Sequence, residues 1–139
     1  MTQEEKELLL IDLCGRLPYE VIVGYSTKDN PNILDKIGRV IYVDIRFGMI
    51  QMQSESGTSY GLPPSEFIKP YLRPMSSMTE EEKEEYCNLQ TKFLCSSQYP
   101  VTDAYELFDW LNARHFDYRG LIPMGLAIAV TEENNPYKE

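Results

Sequence analysis

One stretch limits the fold more than any other: Gly38-Arg39-Val40-Ile41-Tyr42-Val43-Asp44-Ile45-Arg46-Phe47. β-Branched and aromatic side chains dominate it, and such residues suit a pleated, half-buried surface. In an extended strand Val40, Tyr42, Asp44 and Arg46 share one face, and Ile41, Val43, Ile45 and Phe47 share the other. The second set is uniformly apolar, so it is expected to face the core. Gly48 makes a turn, and Met49 to Gln53 alternates as a returning strand. Ser54 to Ser59 is a second turn, and Tyr60-Gly61-Leu62 starts a short strand that Pro63-Pro64 stops. Ser65-Glu66-Phe67 reads as a single turn and Ile68 to Leu72 as a last extended piece. Upstream, Tyr19 to Tyr25 is β-rich, and Ser26 to Asn32 is a loop with Asn30-Pro31 as its turn signal. Together these predict a small SH3-like β-barrel or meander over residues 17–74.

Helices flank this module. Thr2 and Glu5 have capping-box spacing, and Leu8 to Leu13 follow, with Gly15 placed to end the helix. Beyond Pro74, Thr79 to Glu82 is a second capping box. It opens a helix expected to run to about Ser96, with Tyr86, Leu89, Gln90, Phe93 and Leu94 as its inner stripe. Asp103 and Glu106 are spaced as N-cap and N3 of a third helix, with Ala104, Leu107, Phe108 and Leu111 inward and an end near His115. Leu121 to Val130, cut by Pro123 and Gly125, reads as a turn and an extended packing segment. The expected class is α+β: an N-terminal helix at 1–16, the β module at 17–74, a helical part packed on it at 75–130, and a flexible tail at 131–139.

The 139 residues suffice to bury a core without disulfide or metal. Net charge is −9, and the basic residues are scattered singly from Lys6 to Lys138. Nucleic acid and anionic membrane would be repelled, so neither is expected as a partner. Three cysteines, Cys14, Cys87 and Cys95, form no CxxC pair and read as reduced thiols. Acids stand where a signal peptide needs bases, and no stretch has membrane-span length, so a cytoplasmic location is expected.

No phosphate-binding loop, dinucleotide fingerprint, zinc-protease or nucleophile-elbow motif is present. A zinc site would have to use the three cysteines with His115, without paired spacing, so no metal and no cofactor are expected. His115 is the chain's one histidine; Asp109 or Asp117 could orient it as a general base, but a capping or packing role is favoured. Glu80 to Glu85 reads as a solvated first helical turn. The ten tyrosines, among them Tyr42, Tyr60, Tyr71, Tyr105 and Tyr118, supply flat apolar area with a hydroxyl, which suits interfaces. Trp110, Asn112, Arg114, His115, Tyr118 and Arg119 form the densest run of recognition side chains, with Asp117 among them. Arg114 and Arg119 could fork onto a phosphate, Trp110 or Tyr118 could stack on a base, and Asn112 could read its edge. Tyr71 and Arg73 join this site if the following linker folds back. The alternative to a site is that the run docks the last helix onto the β module, with Asp117 and Arg119 tying the turn.

Two further stretches carry a resemblance. Ile68-Lys69-Pro70-Tyr71-Leu72-Arg73-Pro74-Met75-Ser76-Ser77-Met78-Thr79-Glu80-Glu81-Glu82, and Asp109-Trp110-Leu111-Asn112 with His115 to Ile122, resemble a group of small proteins encoded by gut Bacteroidales and by their phages and prophages. Leu13 to Tyr19 is similar to that group too. The resemblance transfers no catalytic residue. It implies a setting, an accessory gene of a mobile element, where small proteins often block host defence enzymes or sequester nucleotide-derived signals. Within that setting the first expectation is a non-enzymatic sponge, working as an oligomer. It would hold a cyclic ADP-ribose-type or cyclic-nucleotide signal between aromatic rings and arginines. The alternative is a protein–protein interaction module that inhibits or adapts a host factor. A small hydrolase using His115 comes third.

Overall fold

The structure is a computed structural model that describes residues 1–27, 30, 32–95 and 98–138. Pro31 of the expected turn, Ser96 at the expected helix end and Glu139 of the tail lie outside them. Helix α1 (Gln3–Arg16) opens on the expected capping box: the Thr2 hydroxyl accepts from the Glu5 N–H at 3.1 Å, and the Glu5 carboxylate accepts from the Thr2 N–H at 2.9 Å. Gly15 does not end it. The helix runs on to Arg16, whose guanidinium is tied to Asp12 one turn back, and a single 3-10 turn with Pro18 follows.

Five strands come next: β1 (Ile22–Tyr25), β2 (Lys36–Asp44), β3 (Met49–Ser54), β4 (Ser59–Leu62) and β5 (Ile68–Leu72). Helices α2 (Glu80–Cys95) and α3 (Pro100–Ala113) and a short β6 (Ile128–Ala129) complete the chain. The sheet order is β4-β3-β2-β1-β5-β6, antiparallel except for the parallel β5–β6 pair. The fold is therefore α+β, with one helix before the β module and two after it. The meander is present as β2-β3-β4, but the sheet is open: β6 occupies the far side of β5, and β4 is only four residues long before Pro63-Pro64.

The strand that dominates the sequence does not keep one parity. Val40 pairs with Met52 while Tyr42 pairs with Gln51, so Ile41 is an extra residue, a β-bulge. A one-residue slip exchanges the faces of everything that follows. Gly38 and Val40 face the core before the bulge, and Val43 packs against it afterwards. Of the four apolar residues expected inside, only Val43 arrives there. Ile41 lies exposed at the bulge. β2 ends at Asp44, and Ile45 and Phe47 stand 75% and 67% exposed in the turn that closes on Gly48 (φ 65°).

α1 covers one face of the sheet. Leu9 and Leu13 pack with Val21, Val23, Tyr25, Val40, Ile50, Met52 and Ile68, nearly all of them fully buried. A second cluster joins Leu72 to Leu121, Leu126 and Ala127. A third, Met78, Leu107, Leu111 and Phe116, attaches the α2–α3 hairpin. α2 begins with the expected Thr79–Glu82 box. α3 begins three residues before Asp103, at Pro100, whose missing N–H costs nothing at a first helical position. Asp103 is instead buried inside the first turn, 3.7 Å from Lys92 Nζ. α2 buries no residue completely, so the buried apolar side chains that the hairpin's helices bring to this cluster come from α3, with Tyr86 and Leu89 of α2 packed against it.

Candidate functional site

The expected site run begins where α3 ends. Arg114 is the C-cap, and His115 takes the left-handed conformation, φ 63°. The His115 N–H donates to Asn112 O at 3.0 Å, and the Phe116 N–H donates to Leu111 O at 3.0 Å. This is the Schellman pattern, which favours glycine at the position His115 holds. The chain then runs beside the end of β5: Arg73 N–H donates to His115 O at 2.7 Å, and Asp117 N–H to Arg73 O at 2.9 Å. The linker after β5 thus folds back and brings Arg73 to the run. Tyr71 lies two residues back along the chain, its ring against Gly24.

Most of these side chains are engaged within the fold. Arg73 forks onto Glu82 at 2.9 and 2.7 Å and lies 4.2 Å from the Phe116 ring centre. That guanidinium, before all other causes, holds the Glu82 carboxyl at about 2. Trp110 is contacted by the Tyr86 and Phe116 rings, and its N–H donates to Glu85 at 2.8 Å. Arg114 lies over Trp110 and reaches the same Glu85 oxygen at 3.4 Å. The Asn112 carbonyl accepts from the Tyr118 hydroxyl at 2.8 Å. Asp117 caps the next turn through Leu121 and Ile122 N–H, and Asp109 lies near the Tyr19 hydroxyl, whose pKa burial and then this carboxylate raise. Neither aspartate is left to orient His115 as a base.

Three residues central to this cluster were not singled out by the sequence. Asp12 and Arg16 are fully buried, with Arg16 Nε and Nη2 at 2.7 and 3.2 Å from the carboxylate. Arg16 Nη2 also donates to Phe116 O at 2.8 Å, tying α1 to the α3 terminus. Arg119 Nε shares Asp12 at 3.3 Å, so two guanidiniums sit on one carboxylate, with the Tyr118 ring against both. The signal existed: Leu9, Asp12, Leu13 and Arg16 share one helical face, and a paired i, i+4 charge on an apolar face marks a buried ion pair. The third residue is Tyr137, from the segment expected as a flexible tail. Its ring stacks on His115 at 3.6 Å, and its hydroxyl reaches the sheet. No local pattern announces that contact.

His115 is mostly buried and faces Arg16 from α1, Arg73 after β5 and the Tyr137 ring. Burial first, then the two arginines, lowers its pKa from 6.5 to about 4. The folded chain therefore leaves the ring neutral down to about pH 4, while the unfolded chain protonates it below about 6.5. Between those values the unfolded state binds more protons, so stability falls as pH falls from 6.5 to 4. His115→Asn, which also tolerates the left-handed backbone, should flatten urea midpoints between pH 6.5 and 5. Glu82 acts only lower, between about 4.5 and 2. An unchanged slope in His115→Asn would contradict the assignment.

Two shallow clefts of about 410 and 430 Å³ open on the sheet; no residue of the Trp110–Arg119 run lines either, nor does Tyr71 or Arg73, while Tyr60 lines the second. Among the described residues no three His, Cys, Asp or Glu side chains gather as a metal site, and no helix is long and apolar enough to cross a membrane. On α3, by contrast, Val101, Tyr105 and Phe108 recur at i, i+4 and i+7 and are all exposed, as is Tyr99 at the helix N-cap. Phe108 was expected inward; it stands 44% exposed, with one side of its ring against Tyr118. Comparison with known protein families, with curated proteins and with solved structures finds no match.

Proposed function

We propose that this chain is a binding protein whose partner is another protein, held on the outer face of α3. The observation that carries this reading is the stripe Val101, Tyr105 and Phe108, exposed together on a well-formed helix. Contiguous apolar surface of this kind on a folded chain marks an interaction site. Exposed Glu106 and Asp109 lie alongside it, on a chain of net charge −9. The complementary partner presents an apolar face flanked by lysines or arginines. The resemblance to proteins of mobile elements supports a host factor in that role and a place inside the cell. The strand order β5-β1-β2-β3-β4 supports the finer description of the β module as SH3-like, left open at β4.

A test uses the intact chain as bait in a host lysate beside Val101→Asp/Tyr105→Asp. Aspartate at two exposed positions should leave folding within about 0.5 kcal/mol per site. A protein retained by the first and lost by the second, at low salt and not high, supports the reading. Identical retention by both baits overturns it.

One observation favours a second reading, a nucleotide-type ligand. Arg119 shares its carboxylate with Arg16 and reaches solvent, so one positive charge is left over beside the Tyr118 ring. A phosphate could complete that pair. A thermal shift of several degrees with one cyclic nucleotide or cyclic ADP-ribose isomer, lost in Arg119→Ala, would move the weight here.

A further inference from the structure

The register of β1 and β5 calls for one more rung than the chain makes. Ser26 N–H donates to Phe67 O at 2.9 Å, and the partners then run Tyr25–Ile68, Gly24–Lys69 and Val23–Pro70. Antiparallel pairs alternate between bonded and non-bonded, so Ile22 and Tyr71 should form the next bonded pair. A foreign hydroxyl stands there. Tyr137 Oη accepts from Ile22 N–H at 3.0 Å and donates to Tyr71 O at 2.8 Å. The seam is held open by a side chain 66 residues further on, at a slot that supplies one donor, one acceptor and a flat imidazole for the ring.

Several features suit this slot to a phenol. The His115 ring is neutral at ordinary pH and lies nearly parallel to the Tyr137 ring, at 11°. Histidine occupies a backbone position where glycine is preferred, so its ring is retained at a conformational cost. The hydroxyl is bound as a donor and stays protonated, since burial raises its pKa far above the ordinary phenol value. Beside the slot lies the cleft of about 410 Å³, walled by Ile22, Ile37, Arg39 and Gln53 of the sheet and by Pro136 of the same tail.

The tail's hydrogen bonds to the rest of the chain pass through one residue. Thr131 and Asn134 bond to one another, and Asn135 bonds to Tyr137 N–H and Lys138 N–H. The hydrogen bonds seen from residues 131–138 to the rest of the chain all pass through the Tyr137 hydroxyl, apart from the β6-side bond of Val130 before it. A segment fixed at one point can leave without dismantling the sheet.

We infer that the slot formed by Ile22, Tyr71 and His115 is a binding site for a tyrosine-bearing peptide, filled in cis by Tyr137 of this chain's own tail. The tail acts as an intramolecular competitor, and its release uncovers both the slot and the adjoining cleft. A short tether holds a cis ligand at an effective concentration of about millimolar, so an outside peptide competes poorly until the tail leaves. A phosphotyrosine is excluded, because it offers no proton to the Tyr71 carbonyl. The site lies apart from the α3 face, so it stands or falls independently of the proposed partner there.

The test uses the full-length chain and a fluorescein-labelled peptide of the sequence TEENNPYKE. Tyr137→Ala should bind this peptide saturably and at least tenfold more tightly than the unaltered chain. The same peptide with phenylalanine or phosphotyrosine in place of tyrosine should bind at least tenfold more weakly. Equal binding by the two chains, no binding, or a Tyr137→Ala chain that cannot fold overturns the inference. Hydrogen exchange on the unaltered chain gives an independent answer. The Ile22 amide should exchange at least tenfold faster than the Gly24 and Ser26 amides of the same seam. Equal protection would show the tail to be a fixed part of the fold.

Discussion

Asp12→Ala is expected to lose about 3–5 kcal/mol of folding free energy, because it strands a buried guanidinium. Asp12 and Arg16 are both fully buried, and Arg16 is joined to that carboxylate through two nitrogens. Without Asp12, Arg16 keeps the Phe116 O bond and the Tyr118 ring, neither of which carries a charge, and Arg119 loses its carboxylate as well. Single domains are stable by about 5–15 kcal/mol, so such a loss leaves the chain close to unfolding at ordinary temperature. Asp12→Leu combined with Arg16→Met should recover much of it, since two apolar side chains of similar length remove the charge with its partner. Urea unfolding of the three chains decides the matter. A single variant within about 1 kcal/mol of the unaltered chain would mean that Arg16 finds another partner, and the ion pair would not hold α1 to the α3 terminus.

Phe116→Ala carries the second large effect. Phe116 is fully buried, stacks on Trp110 at 5.7 Å and lies under the Arg73 guanidinium. It joins Leu107, Leu111 and Met78 in the one cluster that attaches the helical hairpin, and α2 contributes no fully buried residue of its own. Truncating a buried phenylalanine costs about 3–5 kcal/mol. The loss should not spread evenly. Amides of α2 and α3 should lose protection first, while β1, β2 and β3, which pack through the separate cluster under α1, keep theirs. Hydrogen exchange that falls uniformly across sheet and hairpin would show one cooperative unit instead of two.

The β order was legible because each strand carries its own punctuation: Gly48, the Ser54–Ser59 turn and Pro63-Pro64 lie where strands change direction. What the alternation of residues 38–47 could not disclose was the bulge at Ile41, since an added residue leaves the local pattern intact and alters only what lies opposite. Sheet closure was likewise beyond reach, because β6 joins β5 from 56 residues downstream of Leu72 through a pairing of two residues, Tyr71 with Ile128 and Leu72 with Ala129. The capping boxes at Thr2 and Thr79 were readable because they are complete within four residues. Asp103 carried the same local signal and lost to Pro100, whose fixed φ starts the helix a turn earlier.

The candidate site was legible as a place and less so as a chemistry. The segment from Trp110 to Arg119 does gather Arg73 beside it. Its charges are answered by Glu82, Glu85 and Asp12, which come from two other helices, so no reading of the segment alone could pair them. The Val101, Tyr105 and Phe108 stripe was not read from the sequence, which placed Phe108 inward with Ala104, Leu107 and Leu111. Whether such a stripe faces a core or solvent depends on which side α2 takes, and that is a tertiary fact.

The measurement that bears most directly on the interaction face is calorimetric titration of the purified partner into the unaltered chain and into Tyr105→Asp, each at two salt concentrations. An aromatic anchor at an interface is worth about 2 kcal/mol, or roughly thirtyfold in affinity. Binding weakened by about that factor in Tyr105→Asp, and weakened further by salt in the unaltered chain, is the result expected of an apolar stripe with an acidic rim. Equal affinity for both chains, with no response to salt, would place the partner elsewhere and remove α3 from the account.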